Sequence, residues 1–299
     1  MLDTAALARI NTLELRAKVV VEGFLSGMHR SPYHGFSVEF SEYRQYSPGD
    51  DLKHVDWKVY ARSDRFFVKK YEDETNLRCQ LLVDQSRSMG FKGEGEVMTK
   101  AEFGATLGAT LAYFLHGQGD AVGVTTFAEG VLDYIPPKSR PGHLRRLMLL
   151  LEKTPEGRGT DLAGPLRRMA EISRKRGMFV LVSDLLAPVE ELETRLGFLR
   201  ARGHEVEVFQ VLDRREMAFD FAAPSQFRDL ESGREMFIDP AAAKSGYAER
   251  FEAHQARVAK VCGDRGIGLH QIVTDEPVEM ALHRFLSGRE ISKASGRRG

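Results

Sequence analysis

From residue 79 onward the chain repeats one pattern: a short, nearly unbroken apolar run, then a longer stretch with helical spacing. CQLLVD (79–84), AVGVTTF (121–127), MFVLVSD (178–184), EVEVFQVL (205–212) and GIGLHQIVT (266–274) have the length and β-branched content of strands buried on both faces. Helical spacing between and after them predicts helices over 99–117, 142–153, 162–175, 189–202, 241–264 and 276–287. Such alternation implies crossover connections and an α/β fold, a doubly wound and mostly parallel sheet covered by helices on both faces. GVLDYI (130–135) starts only two residues after the second run, too soon for a crossover helix. It is expected as an antiparallel edge strand.

Before this repeat the pattern differs. Residues 4–28 carry one helical stripe, through Leu7, Ile10, Leu13, Val20 and Phe24. Residues 29–77 are rich in Gly, Pro and aromatics and read as short strands and turns. The expected organisation is therefore an N-terminal helix with a small β module over 1–77, the α/β domain with C-terminal additions over 78–290, and a flexible tail over 291–299. A hairpin is expected over 225–239, turning at Glu231-Ser232-Gly233. The two cysteines form no disulfide framework or metal-ligand spacing, and Lys+Arg and Asp+Glu both number 43. With no signal-peptide apolar core and no run of about 18 apolar residues, a soluble cytoplasmic protein is expected.

In open parallel sheets ligands bind at the carboxyl ends of the strands. Asp84, Ser86 and Ser88 follow the first run, Thr160 and Asp161 open a later helix, and Asp184 ends the run 178–184. Any one of them could serve as a helix cap or turn residue. Together they offer hydroxyls and carboxylates on one edge of the sheet, the oxygen donors that a hard divalent cation requires. Two hydroxyls two residues apart can take adjacent vertices, Thr160 a third, and Asp84 and Asp184 can hold metal-bound waters.

Asp-x-Ser-x-Ser at 84–88, Thr160 in Gly-Thr-Asp and Asp184 in Ser-Asp-Leu resemble the metal-ion-dependent adhesion site of von Willebrand factor type A domains, with all five positions filled. The likeness spans about residues 78–212. The upstream segment HGFSVEFSEYRQYSPGDDLKHVDWKVYARSDRFFVKKYEDE (34–74) resembles the signature of the bacterial domain-of-unknown-function family 58, which joins it to a type A domain. Gly35, Glu39, Phe40, Arg44, Tyr46, Pro48, Gly49, Asp50, Asp56, Trp57, Ala61 and Arg62 fit that pattern. The resemblance implies a non-enzymatic protein that binds Mg²⁺ (or Mn²⁺ or Ca²⁺) and an acidic residue of its client. It also implies service to a MoxR-type AAA+ ATPase in assembling or maturing other proteins. Many such proteins carry membrane helices, and this chain has no comparable run. On the residues alone, Glu39 to Arg62 form either a structural brace around Trp57 or a partner surface.

Residues 138–176 hold eleven Lys/Arg, among them Arg145, Arg146, Arg158, Arg167 and Arg168, against four acids. This predicts a basic face that is solvated, or docks an acidic partner. It also supports an alternative function, RNA binding, although no aromatic-basic RNA motif accompanies it. A third reading is a metal-dependent hydrolase with Asp84 as nucleophile. No phosphate-cradling glycine loop is present, and the histidines pair with no evident nucleophile.

Overall fold

The computed structural model describes residues 3–28, 43–45, 67–69, 77–153, 163–173, 175–221, 223–230 and 233–296. The chain divides into two units, residues 28–76 and residues 1–27 with 77–299. In the smaller unit, β1 (Tyr43–Gln45) pairs antiparallel with β2 (Phe67–Lys69), Arg44 opposite Val68. Glu39, Tyr46, Pro48, Gly49, Asp50, Asp56, Trp57 and Arg62 lie outside the described residues, as does the choice between brace and partner surface.

In the larger unit the apolar runs form β3 (Arg78–Asp84), β4 (Ala121–Phe127), β6 (Met178–Ser183), β7 (Glu205–Leu212) and β10 (Gly268–Val273). With β5 (Val131–Lys138) they make one sheet in the order β10-β7-β6-β3-β4-β5. Every neighbouring pair is parallel except β4–β5, so the edge strand is antiparallel as its short connection requires. The strands need apolar residues at consecutive positions because both faces are covered. Leu81, Val83, Val122, Val124, Val180 and Val182 join one core cluster. Leu82, Phe127, Phe179, Leu181, Val206 and Val208 join the other.

Helices α1 (Thr4–Ala8), α2 (Leu13–Met28), α3 (Lys100–Gly117), α4 (His143–Leu151) and α9 (Glu279–Gly296) contribute to the first cluster. Helices α5 (Ala163–Ile172), α6 (Val189–Ala201) and α8 (Pro240–Asp264) contribute to the second. The central helix α3 lies close to the sheet through two glycines one turn apart. A Cβ on Gly104 would stand 3.3 Å from Val182 Cγ1, and one on Gly108 would stand 3.3 Å from Val83 Cγ2. A capping box starts α3: the Glu102 N–H donates to Thr99 Oγ1 (3.1 Å) and the Thr99 N–H donates to Glu102 Oε2 (2.8 Å).

Three expectations change. The N-terminal stripe is two helices, because Asn11 and Thr12 interrupt it and the Leu15 N–H donates to Thr12 Oγ1 (3.3 Å) at the second start. These helices belong to the α/β unit rather than the β module, since Leu7, Leu13, Ala17, Val20 and Val21 bury in its core. The last helix, expected to end at 287, runs from Glu279 to Gly296. The expected hairpin is present as β8 (Ser225–Arg228) paired with β9 (Glu235–Ile238). The short helix α7 (Arg214–Ala218) after β7, which bears on the site, was not among the expected elements. Among the described residues, no helix is long and apolar enough to cross a membrane.

Candidate metal site

Asp84 is the last residue of β3, and Asp184 follows the last residue of the neighbouring β6. Parallel pairing of β3 with β6, Val83 opposite Val182, therefore delivers both carboxylates to the carboxyl edge of the sheet. Both are buried. The Ser86 N–H donates to Asp84 Oδ1 (2.9 Å), and the Ser183 hydroxyl donates to Asp84 Oδ2 (2.6 Å). Ser86 turns its hydroxyl toward that of Ser88, Oγ to Oγ 3.1 Å, where a one-turn 3₁₀ helix (Ser88–Gly90) begins. Ser86 is buried and Ser88 half-buried.

The backbone after β6 is strained. Leu185 has φ 56°, a left-handed conformation costly for a leucine. Hydrogen bonds hold it there. The Leu185 N–H donates to Ser183 Oγ (3.2 Å), and the Leu186 N–H donates to Asp184 Oδ1 (3.2 Å). Gln210 Nε2 donates to the Asp184 carbonyl (3.0 Å), and His254 Nε2 bonds the Leu185 carbonyl (2.8 Å). Ser183 thus joins the two carboxylate loops, donating to one and accepting from the other.

The electrostatics of this edge are unbalanced. Burial, and next the charge of Asp184, push the Asp84 carboxyl up to about 7, although hydrogen bonds from Ser183 and Ser86 pull the other way. Asp84 has no cationic partner among the described residues. Asp184 does have one: the Lys100 ammonium at the start of α3, with a wholly buried side chain, donates to Asp184 Oδ2 (2.9 Å). Lys100 also donates to Glu216 Oε1 on α7 (2.7 Å). Burial lowers the pKa of Lys100, but Asp184 and Glu216 outweigh it and the net shift is upward. One buried ammonium is thus shared between Asp184 and Glu216, and Asp84 is left without a countercharge among the described residues.

This donor set fits a hard divalent cation. Two hydroxyls and two carboxylates converge, with negative charge in excess and no thiol or imidazole among them. A cluster of three or more His, Cys, Asp or Glu ligands, the usual transition-metal arrangement, is not found among the described residues. Thr160 and Asp161 lie outside the described residues. The sequence pointed to Asp84, Ser86, Ser88 and Asp184, and the fold brings these together. It passed over Lys100, Ser183 and Glu216. The signals that could have found them are the capping boxes Thr99-x-x-Glu102 and Asp213-x-x-Glu216, at the two helix starts that carry Lys100 and Glu216.

The basic segment is not one face. Arg145 and Arg146 are exposed on α4, which packs in the first core cluster. Arg167 and Arg168 are exposed on α5, which packs in the second, on the other side of the sheet. The two helices pack in different core clusters, so neighbours in sequence part in space. Arg158 lies outside the described residues. Arg167 and Arg168 each stand 3.9 Å from Glu171, within the loose geometry of solvated helix pairs.

The strand order, the antiparallel edge and the helices on both faces define a von Willebrand factor A-like α/β protein. The chain belongs to the family described as "Protein of unknown function DUF58", whose model matches residues 42–257. It is 30% identical to the uncharacterized protein Rv1480 of Mycobacterium tuberculosis, over 98% of this chain and 93% of that protein. Among solved structures it is similar to BatB, a conserved hypothetical protein of Bacteroides thetaiotaomicron (17% identity, 74% of this chain and 99% of that chain, TM-score 0.48). It is also similar to an aerotolerance-related membrane protein of Bacteroides fragilis (14% identity, 73% of this chain and 99% of that chain, TM-score 0.48).

Proposed function

We propose that this chain is a divalent-metal-dependent protein-binding module that works by binding rather than by turnover. The ion is Mg²⁺, with Mn²⁺ or Ca²⁺ as substitutes, and Asp84, Ser86, Ser88, Thr160 and Asp184 hold it. The observation that carries this reading is the buried carboxylate pair Asp84 and Asp184, set beside two hydroxyls 3.1 Å apart. Buried charges of one sign are tolerated where a cation answers them. When bound, the ion supplies a hard Lewis-acidic point for a carboxylate of another protein. Ser86 and Ser88 are neutral donors, so they leave the ion's charge largely uncompensated. Asp84 and Asp184 would hold the ion through bound water, their carboxylates fixed by Ser183, by the Ser86 N–H and by the turn at Leu185.

The family resemblance supports a MoxR-type AAA+ ATPase as partner, with this chain as adaptor or co-chaperone acting on an acidic residue of a client in the cytoplasm. The division of the basic segment between two sides of the sheet counts against RNA as the ligand. The test is capture of the ATPase or client on immobilised protein, in Mg²⁺ and in EDTA, for wild type and Ser86→Ala. Retention in Mg²⁺ alone, lost in the variant, is expected. Equal retention in EDTA would overturn the reading.

A further inference from the structure

We infer that Lys100 and Glu216 form a positioning pair that sets how tightly the metal site binds its ion, acting through Asp184. The inference rests on the metal reading above and assigns roles to two residues outside the ligand set. Lysine is almost never fully buried unless paired. Lys100 is wholly buried, and its ammonium is divided between Asp184 Oδ2 (2.9 Å) and Glu216 Oε1 (2.7 Å).

Glu216 is held in place for this contact. It is the third residue of α7, whose start is fixed by Asp213: the Arg215 N–H donates to Asp213 Oδ1 (2.8 Å). Asp213 also accepts from the Gly93 N–H through Oδ2 (2.8 Å), tying α7 to the loop that begins with Ser86 and Ser88. A Cβ at Gly93 would stand 2.7 Å from Asp213 Oδ1, so that approach requires glycine. Arg215 adds an ion pair to Glu94 (3.1 Å). Four residues of β7–α7 and the metal loop thus serve to present one carboxylate to the far side of Lys100.

The consequence follows from charge. An ammonium shared between two carboxylates neutralises each only in part, so Asp184 keeps negative charge to offer an ion. Without the charge of Glu216, the ammonium is committed to Asp184 and the edge loses one negative charge. Both effects weaken cation binding. Without the ammonium, Asp184 is released and the edge gains net negative charge, and both effects strengthen it. A pair that merely holds the fold together behaves otherwise: removing either member loosens the same edge, and cation binding weakens or stays unchanged in both.

The test is Mn²⁺ titration of the full chain, followed by the electron paramagnetic resonance signal of free Mn²⁺. Glu216→Gln should raise the Mn²⁺ Kd about three- to tenfold, an interaction screened well below its low-dielectric limit. Lys100→Met should lower the Kd, and Glu216→Asp, which keeps the charge, should bind more nearly as wild type does. If Lys100→Met does not fold, the Gln and Asp variants still decide. An unchanged Kd in Glu216→Gln, or equal weakening in Glu216→Gln and Glu216→Asp, would overturn the inference, as would weaker binding by a folded Lys100→Met. A wild-type chain that binds no Mn²⁺ refutes the metal reading itself and takes this pair's role with it. That result is distinguishable because it precedes any comparison of variants.

Discussion

Asp84→Asn should stabilise the metal-free protein, and by an amount that grows with pH. The carboxyl is pushed up from 3.8 to about 7 by burial and by the charge of Asp184. A carboxyl with a raised folded-state pKa holds its proton more tightly folded than unfolded. Stability therefore falls as pH rises from the unfolded value to the folded one and levels off above it. At about 1.4 kcal/mol per pH unit, the whole window corresponds to at most about 4 kcal/mol. Asparagine keeps the shape and can still accept from the Ser86 N–H, but it does not titrate. Urea unfolding in EDTA at pH 5, 6, 7 and 8 for both proteins measures the effect. The advantage of the variant over wild type should widen by roughly 2–3 kcal/mol between pH 5 and 7 and change little from there to pH 8. Excess Mg²⁺ at pH 8 should close the gap by stabilising wild type alone. A gap that stays flat with pH, or that favours wild type more as pH rises, would refute the assignment of Asp84 as a buried carboxyl without a countercharge.

Other outcomes are expected. Thr99→Ala removes the acceptor that caps α3 and should cost about 1 kcal/mol in chemical denaturation. Phe103→Ala, on the buried face of α3, should cost about 3–5 kcal/mol and lower the melting temperature sharply. Arg167→Glu, at an exposed position with only a loose partner, should move stability by less than about 0.5 kcal/mol. If the basic residues act as two surfaces rather than one, charge reversal at Arg145 and Arg146 should leave any binding that depends on Arg167 and Arg168 intact in a pull-down.

The sheet was readable because a strand buried on both faces must be apolar at nearly every position, and few other local structures demand that. The two hydroxyls and two carboxylates were readable because strand ends are local features, and parallel pairing places them together. Lys100 was hidden for the converse reason. Its acceptors lie 84 and 116 residues away along the chain, so nothing near it distinguishes a buried lysine from a solvated one. Its place just after a capping threonine marked a helix start and no more. The basic segment misled because its residues are close in sequence but attached to helices on opposite sides of the sheet. The split between α1 and α2 was visible in Asn11-Thr12, but the apolar stripe ran through it. Arg16 seals that junction, its guanidinium donating to the carbonyls of Ile10 (2.7 Å) and Ala8 (3.2 Å).

The central claim is that the carboxyl edge of this sheet is a cation site. Crystals grown with Mn²⁺ and measured at the manganese absorption edge test it most directly, because anomalous scattering locates the ion without reference to the chain. The account predicts one strong peak among Asp84, Ser86, Ser88 and Asp184, with direct Mn–O distances of about 2.1–2.2 Å, near the hard-cation value, and replacement by Mg²⁺ on exchange. An empty edge at millimolar Mn²⁺, or a peak elsewhere on the molecule with none here, would contradict it.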